Sequence, residues 1–340
     1  MATMKRILIL GGTSWLGGVL AEQALRLGHQ VTSLARGESG TAPVGARWVR
    51  ADRLDPAAYD GVRGQEWDDV IELTWQPGFA RGAVHALADR AAHWTFVSTC
   101  SVYADDSTPH ADETAGLRHR STRDRATREE YGEAKVACEE ACAEALGDRL
   151  LIARAGLIGG PGDRSDRYGY WVGRFALAQR GPVLVPDAPA QSSQVIDVRD
   201  AADWLLGAGG GLTGTFHLVG EQLPLREVLG LARAIAGHSG DVVPAPESWL
   251  NEREVAPWMG PRSLPLWLPG PELAGHAARS DTRALSAGLV RRSASATLQD
   301  TLADELARGL ERPRAAGLTR TEELDLIREL RPTPAPGRPT

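Results

Sequence analysis

Cysteine is scarce in the 340-residue sequence, three in all, and that excludes a disulfide-built scaffold. Cys100, Cys138 and Cys142 show no paired metal-ligand spacing. Cys138 and Cys142 lie four apart on an expected helix, but two thiols do not close a zinc site, so no metal is expected. All three read as small buried apolar residues. Long apolar runs are missing too, so nothing approaches the length of a bilayer span and no membrane partner is expected. The opening MATMKRILILGG holds a short apolar run that leads straight into a glycine turn. It reads as a strand and not as a signal peptide, and a cytoplasmic location is inferred. Positive charge is not in excess: 38 lysines and arginines face 44 acids, a net charge of -6. That balance argues against a phosphate backbone, and hence a nucleic acid, as partner. The eight histidines show no metal-ligand spacing, and His93 and His110 read as solvated.

What is present is an ordinary globular composition, 42% hydrophobic and 24% charged. The length suits about two domains, or one large domain with a subdomain grafted on. Arg6 to Leu10 is a continuous apolar run of the kind found in a strand buried on both faces. GGTSWLGG follows, then apolar residues at helical spacing (Leu16, Val19, Leu20, Ala24, Leu27), a stop at Gly28, and a second strand over Gln30–Leu34. Strand, glycine turn, helix and strand make a βαβ unit. The alternation continues: strands over Arg47–Arg50, Asp69–Leu73, Trp94–Ser98 and Leu150–Arg154, helices over 80–92 and Tyr131–Leu146. The fold expected is α/β, a Rossmann-type doubly wound parallel sheet, with a smaller C-terminal substrate-binding subdomain.

Residues 1–158 and 194–220 are assigned to the dinucleotide-binding domain. Residues 159–193 and 221–330 are assigned to the subdomain, and 331–340 to a Pro-rich disordered tail. Trp249, Trp258 and Trp267, among many prolines, either line a pocket or fill the subdomain core.

The turn between first strand and helix places Gly11, Thr13, Ser14, Trp15, Leu16 and Gly17 where amides at a helix start can face a pyrophosphate. Gly11 permits the tight turn and Gly17 close helix packing. Ser14 stands where a middle glycine is expected, and its hydroxyl can donate to phosphate; loss of the cofactor is the alternative. After the second strand come Ala35 and Arg36 rather than an acid. Arg36 suits a ribose phosphate or stacks on adenine, which favours NADP(H) over NAD(H). Asp52, with Arg53 beside it, is placed to take the adenine amino group, or the two form a solvated turn.

YGEAK puts Tyr131 and Lys135 on one helix face. An ammonium near a phenol favours the phenolate, and such a phenol can exchange a proton with a substrate hydroxyl or carbonyl. STCSVY ends a buried strand one element earlier, and Thr99 there can position the reacting oxygen.

On GGTSWLG, ARG after the second strand, DRLD at 52–55, STCSVY, YGEAK and RAGLIGGPGD, with VIDVRDAADW later, the chain resembles the extended short-chain dehydrogenase/reductase superfamily. The resemblance is to its NAD-dependent epimerase/dehydratase-like group and runs to about residue 220. It implies Tyr131 as acid/base and Lys135 as the residue binding the nicotinamide ribose. It also implies Thr99 at the catalytic Ser/Thr place, Gly11, Ser14 and Gly17 at the pyrophosphate, and Leu73 and Thr74 by the adenine. A homodimer through the helices flanking the Tyr/Lys motif is a family expectation. Two departures stand out. Ala155 follows Arg154 where the family usually has proline. Cys100 and Ser101 replace the Asp-Glu of the dehydratases, which argues against dehydration.

The leading expectation is an NAD(P)-dependent reductase or dehydrogenase acting on a secondary alcohol or ketone of a small metabolite. A sugar-nucleotide epimerase with tightly held NAD is the second. An RNA-binding or cofactor-sensing regulator on the same fold is the third, disfavoured by the acidic charge and the intact Tyr/Lys pair. Substrate contacts are expected from Trp75 and Gln76 at the fourth strand's end. Arg174 is a further expected contact, and Tyr168 and Trp171 are either contacts or subdomain packing.

Overall fold

The computed structural model describes residues 3–331. Apart from Arg331, the tail expected at 331–340 lies outside the described residues. Two compact units divide the chain. The first holds the residues up to Ile158, Gln194–Glu221 and Gly275–Arg291. The second holds Gly159–Ser193, Gln222–Ala274 and the residues from Arg292 on.

The return of Gly275–Arg291 to the first unit departs from the sequence reading, which gave all of 221–330 to the second. The reason is packing: Ala284 and Leu289 are buried in the first unit's core, and the Ser280 carbonyl faces the buried His217 ring. A segment this short carries too little periodicity to announce its partner.

The first unit is built on seven parallel strands. They are β1 (Arg6–Leu10), β2 (Gln30–Ala35), β3 (Arg47–Arg50), β4 (Asp69–Glu72), β5 (Trp94–Thr99), β6 (Leu150–Ala155) and β7 (Gly214–Leu218). Their spatial order is β7-β6-β5-β4-β1-β2-β3. Four helices flank the sheet: α1 (Trp15–Arg26), α2 (Pro77–Leu87), α3 (Tyr131–Leu146) and α4 (Val198–Ala208).

Successive side chains of a strand point to opposite faces. Ile7 and Ile9 therefore join Leu20, Ala24 and Leu205 in one core, while Leu8 and Leu10 join Ala80, Val84 and Cys142 in the other. Both faces being covered, β1 has to be apolar at every inward position, which is why its sequence is an unbroken run. The helix expected over 80–92 starts earlier, because Pro77 is accommodated at the first position of α2, where no amide bond is lost.

α1 ends in a Schellman motif. Gly28, at φ 82°, donates to Leu25 O at 3.0 Å, and His29 donates to Ala24 O at 3.0 Å. That turn delivers the chain into β2. His93 is not solvated. It is buried, with Nδ1 3.0 Å from Asp69 Oδ1 and Nε2 2.9 Å from Leu212 O. All three cysteines are buried free thiols, and burial pushes Cys100 and Cys138 up to about 12.

In the second unit the helices Tyr168–Ala178, Leu225–Ile235 and Ala294–Arg308 enclose an aromatic core with Trp171, Phe175 and Trp267. Of the tryptophans in the Pro-rich stretch, Trp267 fills this core. Trp249 and Trp258 instead carry the guanidiniums of Arg253 and Arg167 over their rings, at 4.1 and 5.2 Å. Among the described residues no helix is long and apolar enough to cross a membrane.

Candidate active site

Strand β1 has β2 on one side and β4 on the other, so the connections leave it in opposite directions. A crevice opens at the carboxyl ends of the strands at such a switch point. A cleft of about 320 Å³ occupies it, with Leu10, Gly11, Thr13 and Ser14 on one wall and Leu73, Thr74, Trp75 and Gln76 on another.

The glycine turn is close-packed. Gly11 has φ 99°, which favours a residue without a Cβ. A Cβ on Gly17 would stand 2.4 Å from Gly11 O, and one on Gly12 2.4 Å from Ser33 Oγ. Ser14 is the N-cap of α1: its hydroxyl donates to Gly11 O at 2.8 Å and accepts from Gly17 N at 3.2 Å. The expectation that this hydroxyl donates to a phosphate is therefore corrected, since its proton is committed to the turn. The amides at the start of α1 and the helix dipole remain as the anion-binding element. Trp15 and Leu16 open the helix, and Leu16 packs on the core. This glycine cradle fits a dinucleotide's pyrophosphate.

Arg36 leaves β2 at the rim of the cleft, as expected, but it is not alone. Gly37, at φ 90°, turns the chain back, and Glu38 pairs with Arg36 at 2.8 Å. The carboxylate found missing from the strand end is thus supplied two residues later.

Asp52 is exposed, accepts a bond from Leu54 N at 3.0 Å and does not line the cleft. Arg53 does line it, but its donors are engaged. It meets Glu72 in a bidentate pair (2.8 and 2.5 Å), Tyr59 Oη at 2.9 Å and Phe79 O at 2.6 Å. Burial opposes its charge, and Glu72 more than offsets that, so its pKa is raised. Glu72 in turn accepts from Thr74 N at 2.8 Å, which fixes the loop after β4. Asp52, expected at the adenine amino group, thus lies outside the cleft lining, and Arg53 beside it stands in that lining with its guanidinium held by the protein. One forms a local turn, and the other is a structural member of the cleft wall.

The remaining candidate residues lie on β5 and α3. Thr99 ends β5; its Oγ1 accepts from Ser101 N and donates to Ser101 Oγ, both at 3.2 Å. A Cβ on Gly132 would lie 2.3 Å from Ser101 O, so the first turn of α3 presses directly on the backbone just past Thr99. Tyr131 begins that turn. It is 36% exposed, enough for a substrate to reach it, and its ring lies 5.8 Å from that of Trp75 on the cleft wall. One helical turn later Lys135 is buried. Its Nζ donates to Val97 O at 2.5 Å and sits 4.8 Å over the Phe96 ring. The spacing of YGEAK thus sends one side chain outward at the helix start and the other back onto β5.

A buried polar network supports this strand. Ser98 donates to Glu139 at 2.5 Å, Arg154 pairs with Glu139 at 2.8 Å, and Arg154 donates to Tyr103 Oη at 2.9 Å. Tyr103 Oη lies 2.5 Å from His217 Nε2. His217 Nδ1 faces Ser280 O at 2.8 Å, so Nδ1 carries the proton and Nε2 accepts from the tyrosine. Burial lowers the His217 pKa below 6.5.

The folded chain therefore binds fewer protons at this group than the unfolded chain between the two pKa values. The stability His217 contributes is complete above about pH 6.5 and is lost as pH falls. In an NMR titration its imidazole stays neutral at pH values where exposed histidines have begun to charge. A midpoint at or above 6.5 contradicts this.

Gln76 lines the cleft, but its amide clamps the Ala126 backbone at 2.9 and 3.2 Å. Tyr168 and Trp171 lie inside the second unit and follow the packing alternative, while Arg174, expected at the substrate, is buried there as well. Trp171 donates to Pro265 O at 2.8 Å and Arg174 pairs with Glu323 at 3.3 Å. Sequence reasoning missed Glu38, Phe79 and Arg125, which also line the cleft. Gly37 was the available signal for Glu38; Arg125 lies in a segment without pattern.

The family model for the NAD dependent epimerase/dehydratase family matches residues 7–208. No curated protein matches the sequence. Among solved structures, one from Burkholderia cenocepacia is similar with TM-score 0.67 and 22% identity, covering 89% of this chain and 98% of that one. UDP-glucose 4-epimerase of Thermus thermophilus, solved with NAD, gives 0.63 and 18%, covering 88% and 98%. UDP-glucuronic acid 4-epimerase of Bacillus cereus, also with NAD, gives 0.63 and 15%, covering 89% and 99%. The switch-point cleft, the glycine turn and the Tyr131/Lys135 helix fall within the matched span, and the chain belongs to the NAD dependent epimerase/dehydratase family, as an enzyme of the extended short-chain dehydrogenase/reductase type.

Proposed function

We propose that this enzyme moves a hydride between a nicotinamide dinucleotide and a secondary alcohol or ketone of a small metabolite, with Tyr131 as the acid/base. The observation that carries the reading is the packing of the α3 start against the backbone just past Thr99, beside a cleft floored by the glycine turn. Gly11 and Gly17 with the start of α1 hold the pyrophosphate, and the bound nicotinamide supplies the hydride acceptor or donor. Tyr131 Oη gives or takes the proton of the substrate oxygen, Thr99 Oγ1 orients that oxygen, and buried Lys135 sets a positive charge one turn from the phenol.

Epimerisation is a second reading of the same residues, favoured by the NAD-bound epimerases among the similar structures. An epimerase purifies with nucleotide and shows no net redox; a reductase arrives empty and consumes it.

For the cofactor we propose NAD(H). The Arg36 guanidinium suits the 2′-phosphate of NADP(H), but Glu38 at 2.8 Å already answers its charge and would oppose that phosphate. The pair is solvent-exposed and weak, so the preference is modest. Wild type binds NADH more tightly than NADPH. Glu38→Gln shifts the ratio toward NADPH by about threefold to tenfold, as expected for roughly one exposed charge pair. An unchanged ratio in competition titrations removes Glu38 from cofactor selection.

A further inference from the structure

Three guanidiniums line the cleft of the first unit: Arg36, Arg53 and Arg125. Two have carboxylates of their own, Glu38 at 2.8 Å and Glu72 at 2.5 Å. Arg125 has none among the described residues. Its guanidinium lies 5.2 Å over the Phe79 ring at the cleft wall and is otherwise exposed.

The backbone that carries Arg125 is nonetheless fixed. Gly78 N donates to Asp124 O at 3.0 Å, Ala126 N donates to Gln76 Oε1 at 2.9 Å, and Gln76 Nε2 donates to Ala126 O at 3.2 Å. Arg81 pairs with Asp124 on the outer side. The fit is close: a Cβ on Gly78 would stand 3.1 Å from Asp124 O, so this contact suits glycine. Buried Gln76, whose amide is used twice for this purpose, thus fastens an irregular segment to the start of α2.

A cation held on a fixed backbone, facing a cleft and lacking a counter-ion, is arranged for an anion from outside the chain. The glycine turn, which lines the same cleft, supplies the matching half. With the Ser14 hydroxyl turned into its own cap, the glycine turn offers a phosphate amides and a helix dipole but no side-chain charge. A dinucleotide brings two negative phosphates to that turn.

We infer that Arg125 is the phosphate-neutralising residue of the cleft, presented by the Asp124–Ala126 segment to the pyrophosphate of the dinucleotide. This rests on the dinucleotide reading given above. It assigns Gln76 a positioning role, fastening the segment that bears the charge, in place of the substrate contact expected from the sequence.

Calorimetric titrations with NADH, ADP and adenosine test it on wild type, Arg125→Gln and Arg125→Lys, with melting curves to show that the exposed substitution leaves the fold intact. Arg125→Gln raises the Kd of NADH and of ADP about tenfold and leaves adenosine unchanged, while Arg125→Lys restores part of the loss. Raising the salt concentration weakens wild type more than Arg125→Gln, because one screened charge contact is gone. If Arg125→Gln binds ADP as wild type does, or loses ADP and adenosine equally, the inference is overturned and the dinucleotide reading stands. If wild type itself binds neither NADH nor ADP, both fall.

Discussion

Tyr131→Phe lowers kcat by about 10²- to 10⁴-fold, the range supplied by a positioned general acid/base. The Kd for NADH stays within about twofold of wild type, because the substitution removes one oxygen and nothing else. The ring remains, and with it the contact to Trp75 at 5.8 Å. Tyr131 is half-exposed at the first position of α3, so no packing is lost with the hydroxyl. The measurement is single-turnover hydride transfer on a secondary alcohol or ketone that the wild type accepts, alongside a cofactor titration. A mutant that turns over at the wild-type rate removes the proposed acid/base. A mutant that loses cofactor binding as well assigns Tyr131 to the cofactor rather than to the proton.

Arg53→Met is expected to cost about 3–5 kcal/mol of folding stability, since it leaves Glu72 as a buried carboxylate without its partner. The pair is well buried, the side chains being 9% and 0% exposed. Glu72 would keep only the bond from Thr74 N, and the Arg53 bonds to Tyr59 Oη and Phe79 O would go as well. The double variant Arg53→Met with Glu72→Met recovers much of the loss, because no charge is then stranded. Urea unfolding of wild type, Arg53→Met, Glu72→Met and the double variant reads this directly. A single variant within about 1 kcal/mol of wild type contradicts the view of Arg53 as a structural member of the wall.

The helix that begins at Tyr131 and the wall residue Arg53 show where sequence reasoning succeeds and where it stops. The helix that opens with Tyr131 was legible because its pattern is local. Four residues make one helical turn, and the strand ending in Thr99 precedes it in the chain. β1 was legible for a similar reason, as a run buried on both faces has a composition of its own. Arg53, in the turn after β3, was set beside Asp52 at the adenine because its partner Glu72 lies nineteen residues away, on β4. Ser14 was read as a phosphate donor, yet an N-cap serine spends its hydroxyl on the turn that it closes.

The same limit explains His93 and the helix Tyr168–Ala178. A polar side chain is drawn into the core by a distant partner, as His93 is by Asp69 and Arg174 by the ion pair with Glu323. Gly275–Arg291 belongs to the first unit through Ala284 and Leu289 and through bonds to distant residues, such as Arg279 to Asp106 and Trp204 to Ala287 O, which leave no local pattern.

Whether the cleft holds a nicotinamide dinucleotide is settled most directly by denaturing the purified protein to quantify any nucleotide released, and titrating the emptied protein with NADH. Up to one dinucleotide released per chain, and saturable binding of NADH at a single site that NAD competes for, is the outcome predicted. Protein that releases no nucleotide and takes up neither NADH nor NADPH would contradict the account from the glycine turn onward.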